Sequence, residues 1–459
     1  MRAFEIAAAV RAGRLTARAS VEASLARIAE TDPKLDAFTD ITAERALARA
    51  DVLDARRFRG DTLGPLAGVP FAVKNLFDIA TLPTRAGSKI NRDRAPAAVD
   101  ALLVERLEAA DAILVGGLNM GEYAYDFTGE NVHDGPSRNP HDPEHMSGGS
   151  SGGSATAVAA GMVPLSLGSD TNGSIRVPSS FCGLFGLKPT YGRLPRTGTF
   201  PFVHSLDHLG PFARSVTDLA VAYDAMQGHD PGDPGCADRV VEPVTQRLEE
   251  GIGAVRVLLL DGYFRERATA EALEAVDRVA AALGSRRKVK PSGVAEARAA
   301  AYLITMAEGA ALHLDRLCSR AGDFDPAVRN RLLAGAMLPA AWVVQAQKVR
   351  RAFHAQMLQV LEGDTVLLAP ATPCRAPKIG QKTMVLGGEE MLVRPNLGLF
   401  SQPISCIGLP VCTVPVWTKG ERLPIGVQVI GPPWREDLVL RTARKLEADG
   451  VVSAPVARI

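Results

Sequence analysis

The chain has 459 residues, of which 46% are hydrophobic and 22% charged, and its formal net charge at pH 7 is +1. This composition supports a large core and excludes a chain that is disordered throughout. A near-neutral charge without basic runs among aromatic residues argues against a nucleic-acid-binding surface, and no apolar run reaches the roughly 18–20 residues of a membrane span.

Apolar periodicity predicts helices over residues 1–60 and a first strand over residues 70–74. Asp100 is expected to cap a helix over residues 101–110, which leads into a strand over residues 112–115. Small residues predict a further helix over 154–160, which Gly161 ends. Helix and strand signals then alternate along the chain.

The second half of the chain begins after a loop rich in glycine and proline over residues 228–237. Helices are expected over 267–283 and through most of 296–360, and strands over 255–260, 365–369, 410–416 and 425–430. The alternation indicates an α/β fold with a central mixed, twisted β-sheet flanked by helices on both faces.

Two serines lie in glycine-rich surroundings within residues 147–178, which read SGGSSGGSATAVAAGMVPLSLGSDTNGSIRVP. Glycines next to Ser150 and Ser174 remove Cβ atoms that would crowd a substrate, and consecutive free N–H groups in such turns can face a developing oxyanion. Upstream, Lys74 lies within the apolar run GVPFAVKNLF. A lysine in such a run either extends its ammonium group to water or stays buried with a lowered pKa, and a buried one can act as a general base.

Three segments, in this order and at this spacing, resemble the amidase signature family of serine hydrolases. They are the run around Lys74, the GGSSGGS block with Ser150 and the DTNGSIR block with Ser174. The resemblance implies that Ser174 is the acylated nucleophile and that Ser150, preceded by a cis peptide bond, bridges it to Lys74. It also implies an oxyanion hole formed by four consecutive backbone N–H groups, those of Thr171, Asn172, Gly173 and Ser174. Asn172 stands where many family members have glycine, which keeps the backbone donor and narrows the pocket.

The resemblance also implies roles for residues around the serines. Asp170 and Arg176 flank the nucleophile and are expected to act structurally. Arg331 lies in a segment similar to one in the glutaminase subunit of tRNA-dependent amidotransferases, where an arginine binds the substrate carboxylate, and Arg329 is the alternative. The expected substrate contacts are Tyr125, Asn131, Gly149 and Arg331.

By the same resemblance the chain forms a single domain over residues 1–459. It is expected to comprise N-terminal helices in 1–60, the amidase signature core in 61–227, a helical cap over the site in 296–360, and C-terminal strands with a helix of the same sheet in 365–459.

A narrower resemblance points to the substrate. The segments VPFAVKNLFDIA, GLNMGEYAYDFT and SLGSDTNGSIRVP look like the biuret and 1-carboxybiuret amidohydrolase subfamily. This implies hydrolysis of a small urea-like amide with release of ammonia. Gly398 stands where glutaminase relatives have the aspartate that reads the substrate amino group, which disfavours glutamine. A glutaminase subunit of a glutamyl- or aspartyl-tRNA amidotransferase and a general small-amide amidase remain the alternatives.

The subfamily resemblance further implies a small helical partner subunit, similar to the small subunit of the amidotransferase, in a dimer or heterotetramer. A serine–serine–lysine mechanism needs no cofactor and no metal. His141 and His145 stand four residues apart, but Pro143 between them forbids the helical geometry of a zinc site. No direct contact with nucleic acid or membrane is expected.

Three further patterns limit the alternatives. The serine block also satisfies G-x-S-x-G, but the nucleophile elbow of α/β-hydrolases needs a preceding strand, whereas residues 139–143 predict a turn. Residues 1–18 lack the apolar segment of a signal peptide. Six cysteines without CxxC spacing are expected to be reduced core residues of a cytoplasmic protein: Cys182, Cys236, Cys318, Cys374, Cys406 and Cys412.

Overall fold

The computed structural model describes residues 1–459 and contains fifteen α-helices and thirteen β-strands. The helices are α1 (Ala3–Arg11), α2 (Ala17–Thr31), α3 (Ala43–Phe58), α4 (Leu102–Ala109), α5 (Gly152–Ala159), α6 (Arg176–Cys182), α7 (Val216–Met226), α8 (Tyr263–Glu266), α9 (Ala270–Ala282), α10 (Val294–Arg320), α11 (Pro326–Ala336), α12 (Ala340–Val360), α13 (Val393–Asn396), α14 (Gln402–Cys406) and α15 (Glu436–Ala448). The strands are β1 (Phe38–Ile41), β2 (Pro70–Lys74), β3 (Ile113–Leu118), β4 (Leu165–Asp170), β5 (Phe185–Lys188), β6 (His208–Ala213), β7 (Arg256–Leu260), β8 (Lys288–Val289), β9 (Thr365–Pro370), β10 (Thr383–Leu386), β11 (Glu389–Leu392), β12 (Val411–Val416) and β13 (Ile425–Ile430).

Eleven strands form one sheet in the order β1-β3-β2-β4-β6-β5-β12-β13-β9-β7-β8, and β10 pairs with β11 in a separate hairpin. The sheet is mixed: β2 runs parallel to β3 and β4, β7 runs parallel to β8 and β9, and the remaining neighbours are antiparallel. The predicted α/β class with a mixed central sheet is therefore confirmed.

The central strands are buried on both faces. Every residue of β2, β3, β4, β6, β9, β12 and β13 is buried. Such strands need a helical layer on each side, and their apolar residues join a single core cluster of 112 residues. The boundaries predicted for the segments of the domain stay predictions. No helix combines the length and the apolar character needed to cross a membrane.

Some local predictions were wrong. The first strand is β1, a half-exposed strand at the edge of the sheet that was hidden among the helices predicted for residues 1–60. Asp100 does not cap α4, because its carboxylate accepts hydrogen bonds from Arg45 Nη1 and from the backbone N–H of Ala80, both at 2.8 Å. Of the six free cysteines, Cys318 is exposed and Cys374 half-buried, so neither is a fully buried core residue.

The parallel pairing of β2 with β4 positions the candidate site. Lys74 ends β2 and Asp170 ends β4, so both carboxyl ends meet at one edge of the sheet. The loop after β4 carries Ser174 and leads directly into α6. The long helix α10 contacts α14, which follows the Gly398 loop, and so covers this edge.

Candidate active site

Lys74 is fully buried and surrounded by hydroxyl groups. Its Nζ lies 2.6 Å from Ser150 Oγ, 3.0 Å from Ser151 Oγ and 2.9 Å from Ser169 Oγ. Burial lowers the pKa of Lys74 to about 7, against the opposing effect of nearby carboxylates. The amine can therefore lose or gain a proton near neutral pH.

The hydrogen bonds around Lys74 have a definite direction when the amine is neutral. A neutral amine has two N–H groups and one lone pair, so one of its three hydroxyl neighbours must donate to it. Ser151 Oγ already donates to the carbonyl oxygen of Ser169 at 3.1 Å and must accept from the lysine. Neither Ser150 Oγ nor Ser169 Oγ makes another hydrogen bond, and Ser150 Oγ, which has the shorter contact, is the best placed to donate to the lone pair.

Ser174 faces a pocket rather than the protein interior. Its side chain makes no hydrogen bond to the protein and contributes to the pocket wall. Of the two hydrogen bonds expected in the triad, the structure contains the one between Lys74 and Ser150. It contains no hydrogen bond between Ser150 and Ser174. The peptide bond between Gly149 and Ser150 is cis.

Four consecutive backbone N–H groups beside Ser174 lack a protein acceptor, those of Thr171, Asn172, Gly173 and Ser174. Free donors in a row are what an oxyanion site requires. Gly173 has a φ of +142°, and a Cβ atom there would lie 2.1 Å from Ser401 Oγ. The loop conformation therefore requires glycine at this position.

A buried ion pair holds the loop that carries these donors. Arg176 Nε and Nη2 donate to the two carboxylate oxygens of Asp170 at 3.0 and 2.9 Å, and both side chains are fully buried. Arg176 Nη1 also donates to the carbonyl oxygen of Ser401 at 2.9 Å. Burial alone would raise the pKa of Asp170, but the charge and hydrogen bonds of Arg176 outweigh it and hold that pKa below its ordinary range.

A narrow pocket with a cavity volume of about 20 Å³ lies beside Ser174. Its lining comes from the loops after β3 and β4 and from helices α10, α11 and α14. Phe202 completes it. The lining residues are Ala124, Tyr125, Asp126, Phe127, Thr171, Asn172, Ser174, Phe202, Tyr302, Thr305, Arg331 and Gln402. Two polar atoms in this wall, Tyr125 Oη and Asn172 Oδ1, are buried without any partner.

Two of the expected substrate contacts lie in the pocket. The guanidinium carbon of Arg331 lies 3.7 Å from the ring centroid of Tyr125, and Arg331 Nη2 donates to the carbonyl oxygen of the same residue. Arg331 forms no salt bridge, although the neighbouring Arg394 pairs with Asp126 at 2.7 Å. Arg329 lies outside the pocket, where its Nε donates to the side chain of Asn330 at 3.3 Å.

The other two expected contacts lie elsewhere. The amide nitrogen of Asn131 donates to the carbonyl oxygens of Gly87 and Met120 at 2.7 Å, and its oxygen accepts from the backbone N–H of His133. The side chain is therefore fully used in joining the loop after β3 to the segment that contains Gly87. Gly149 packs behind the pocket wall, where a Cβ atom would lie 2.6 Å from Asp126 Oδ2.

Several residues at the site were not found from the sequence. Ser151 and Ser169 contact Lys74, and the doubled serine of the GGSSGGS block was the available signal for Ser151. Tyr302 and Thr305 stand three residues apart on α10 and therefore share one face of the helix. Nothing in the local pattern shows that this face points at the pocket.

Gly398 lies against a ring of the pocket wall. A Cβ atom on Gly398 would lie 2.4 Å from Phe127 Cζ, so an aspartate does not fit there while Phe127 keeps its place. Ser405, on the nearby helix α14, donates to Asp170 Oδ1 at 3.2 Å. Phe127 thus occupies the space that an aspartate at position 398 would need to bind a substrate amino group.

The structure contains no group of three or more histidine, cysteine, aspartate or glutamate side chains that could hold a metal ion. His141 lies with Nε2 3.2 Å from the carbonyl oxygen of Cys182, and His145 Nδ1 lies 3.4 Å from Asp142 Oδ2. The two histidines therefore have separate partners.

The sequence matches the family model described as Amidase over residues 19–440. It is 51% identical over 452 residues to AtzE, which is a subunit of the 1-carboxybiuret hydrolase of Pseudomonas sp. (strain ADP), and the alignment covers 98% of this chain and 99% of that protein. It is 37% identical to a glutamyl-tRNA(Gln) amidotransferase subunit of Anaeromyxobacter sp. (strain K), with 98% of this chain and 96% of the relative aligned.

Solved structures have the same fold. One, described as a vestigial protein complex that reveals the evolutionary origins of an s-triazine catabolic enzyme, superposes with a TM-score of 0.98 at 51% identity and covers 99% of this chain and all of its own. A second, described as an amidase, superposes with a TM-score of 0.87 at 33% identity and covers 98% of this chain. The chain therefore belongs to the amidase family and is an enzyme that hydrolyses amide C–N bonds.

Proposed function

We propose that this amidase hydrolyses a terminal amide bond of a small urea-like compound, 1-carboxybiuret or biuret, and releases ammonia. The observation that carries the proposal is an arginine in the pocket, Arg331, that has no acidic partner. A free guanidinium beside the nucleophile suits a small anionic amide. The 51% identity to a protein of a 1-carboxybiuret hydrolase supports the same substrate class.

The proposed base is neutral Lys74. It takes the proton of Ser150, and Ser150 takes the proton of Ser174 as the nucleophile attacks. The short contact between Lys74 Nζ and Ser150 Oγ supports the first transfer. The second transfer requires Ser174 to donate to Ser150 in the substrate complex, where catalytic hydrogen bonds commonly tighten.

The chemical steps follow from these positions. Ser174 Oγ forms a bond to the amide carbon, and the carbonyl oxygen becomes an oxyanion against the free N–H groups of residues 171–174. The C–N bond then breaks, the proton held by Lys74 returns through Ser150 to the departing nitrogen, and ammonia leaves. Water adds to the acyl-enzyme by the same proton route and releases the acid.

In this proposal Arg331 binds the carboxylate of the substrate. Its contact with the ring of Tyr125 and its hydrogen bond to the carbonyl oxygen of that residue would fix the guanidinium. The Nε group also donates to the carbonyl oxygen of Ala327 at 2.8 Å. The remaining N–H groups are free to pair with two carboxylate oxygens. Binding of a neutral amide would leave these donors without an anion.

A glutaminase function is less well supported. An α-amino acid amide carries an ammonium group that needs a carboxylate, and the position expected for that carboxylate is Gly398, packed against Phe127. The one carboxylate in the pocket wall, Asp126, is already paired with Arg394 at 2.7 Å and accepts two backbone N–H groups. Glutamine therefore serves as the discriminating competitor in an assay.

We also propose that the chain works in an oligomer, as a dimer or with a small helical second subunit. The curated relatives are described as subunits, and the superposed structure is described as a complex. Light scattering of the purified chain is expected to give a mass above the 48.6 kDa of one chain. A single-chain mass with full activity would contradict this part of the proposal.

The test of substrate class is ammonia release at neutral pH from 1-carboxybiuret, biuret, allophanate, glutamine, asparagine and a simple aliphatic amide. Ser174→Ala is the blank. We expect the highest kcat/KM for 1-carboxybiuret or biuret. A preference for glutamine would overturn the proposed substrate class, and activity confined to the aliphatic amide would indicate a general amidase.

A further inference from the structure

Asn172 has a side-chain amide in addition to the backbone N–H that is proposed for the oxyanion hole. Its side chain lines the same pocket as Ser174. The amide nitrogen Nδ2 donates to Thr305 Oγ1 on the cap helix α10 at 2.8 Å. The amide oxygen Oδ1 is buried and has no partner. The hydrogen bond to Thr305 thus leaves an acceptor unused at the pocket wall.

A buried acceptor without a partner is costly, and in native proteins such atoms are uncommon away from functional sites. The rest of the pocket is rich in donors: four backbone N–H groups, the Arg331 guanidinium and the amide nitrogen of Gln402, which makes no hydrogen bond to the protein. Against these, the acceptors without partners are Asn172 Oδ1 and the hydroxyl oxygen of Tyr125. A ligand that brings N–H groups would satisfy them.

We infer that Asn172 Oδ1 accepts a hydrogen bond from the ureido N–H of the substrate and that Thr305 is the positioning residue that orients it. This inference rests on the proposed function, because it names how a urea-like amide is told apart from a plain carboxamide. A ureido compound has nitrogen on the side of the scissile carbonyl opposite the leaving group, where a carboxamide has carbon. Only the nitrogen can donate to Asn172.

The position of Asn172 in the chain suits this role. It is two residues before Ser174, and both residues line the same pocket. Asn172 Oδ1 is buried, so the proposal requires the surrounding side chains to shift as the substrate binds. A bound carboxamide would leave Asn172 Oδ1 without a hydrogen bond. An unpaired buried polar atom disfavours a substrate more strongly than a difference in shape alone.

The test compares biuret with malonamide, which has CH₂ in place of the central N–H and is otherwise the same. We expect Asn172→Leu, which is nearly isosteric and keeps the backbone N–H, to lower the ratio of kcat/KM for biuret to that for malonamide by about tenfold, the factor that one neutral hydrogen bond supplies. Thr305→Val should lower the ratio in the same direction, and Thr305→Ser, which keeps the hydroxyl, should restore it. Ammonia release measures both substrates.

The outcomes separate this inference from the proposed function. A wild-type preference for biuret that survives in Asn172→Leu overturns the inference and leaves the proposed function standing. A proportional loss of activity on both substrates in Thr305→Val indicates a merely structural contact and also overturns it. A wild-type enzyme that prefers malonamide to biuret overturns the inference, whereas the proposed function falls only if neither 1-carboxybiuret nor biuret is hydrolysed.

Discussion

Lys74 sets the pH dependence of the reaction because its ammonium form has no lone pair to accept a proton. Its pKa of about 7 lies below the ordinary value, so the neutral base predominates above pH 7 and the charged form below it. We expect kcat/KM to fall about tenfold per pH unit on the acid side, to roughly one thirtieth of the plateau at pH 5.5. Initial rates between pH 5 and 9 measure this.

Two controls accompany that profile. Circular dichroism at each pH shows whether the chain stays folded, and Lys74→Arg should be inactive throughout because a guanidinium does not give up its proton in this range. An acid limb that stays level to pH 5.5 in a folded enzyme would rule out a lysine base.

Arg331 is expected to distinguish anionic from neutral substrates. Arg331→Ala should lower kcat/KM for 1-carboxybiuret by about 10- to 100-fold, the range for a hydrogen bond to a charged group, and should change that for biuret much less. Arg329→Ala, two residues away on the same helix but outside the pocket, is the matched control and should leave both unchanged. Equal losses on both substrates in Arg331→Ala would argue against carboxylate binding.

At the scale of single residues, the sequence predicted the reacting side chains better than the residues that contact the substrate. Lys74 and Ser150 were named from motifs and lie in hydrogen-bond contact. Asn131 was expected to contact substrate, but its side chain instead donates to the backbone carbonyl oxygens of Gly87 and Met120. Which of these a buried amide does depends on partners distant in the chain, and a single sequence does not show them.

At the scale of elements, the loop between β4 and α6 depends on the buried pair of Asp170 and Arg176. Arg176→Met would leave the Asp170 carboxylate buried without its cation, so we expect a loss of about 3–5 kcal/mol in the free energy of unfolding. Urea denaturation measures it. Arg18→Ala, which breaks an exposed pair with Asp51, is the control and should cost far less. A loss no larger than this control would show that the pair does not hold the loop.

Elements with strong local signals were predicted closely. The strands over 70–74 and 425–430 have the expected bounds, because each is an apolar run with clear limits. β1 was missed because it is four residues long, half-exposed and defined by its pairing with β3, about 75 residues away. Helix and strand periodicity report local burial, whereas edge strands depend on non-local partners.

At the scale of the whole molecule, the site divides into a chemical part and a selective part. Strands β2 and β4 with the loop before α6 supply Lys74 and Ser174, and helices α10 and α11 supply Thr305 and Arg331. These groups come from distant parts of the chain and meet only because one sheet of eleven strands runs through it. The motifs predicted the chemical part together with Tyr125 and Arg331, whereas the place of Thr305 in the pocket became visible only in the fold.

Acylation of Ser174 by a urea-like amide is the step on which the proposed reaction depends most directly. The measurement is peptide mass spectrometry of the enzyme quenched in acid during turnover of biuret. We expect an adduct on the peptide that contains Ser174, and no adduct and no ammonia release above background in Ser174→Ala. An adduct on another residue, or turnover that persists in Ser174→Ala, would contradict this mechanism.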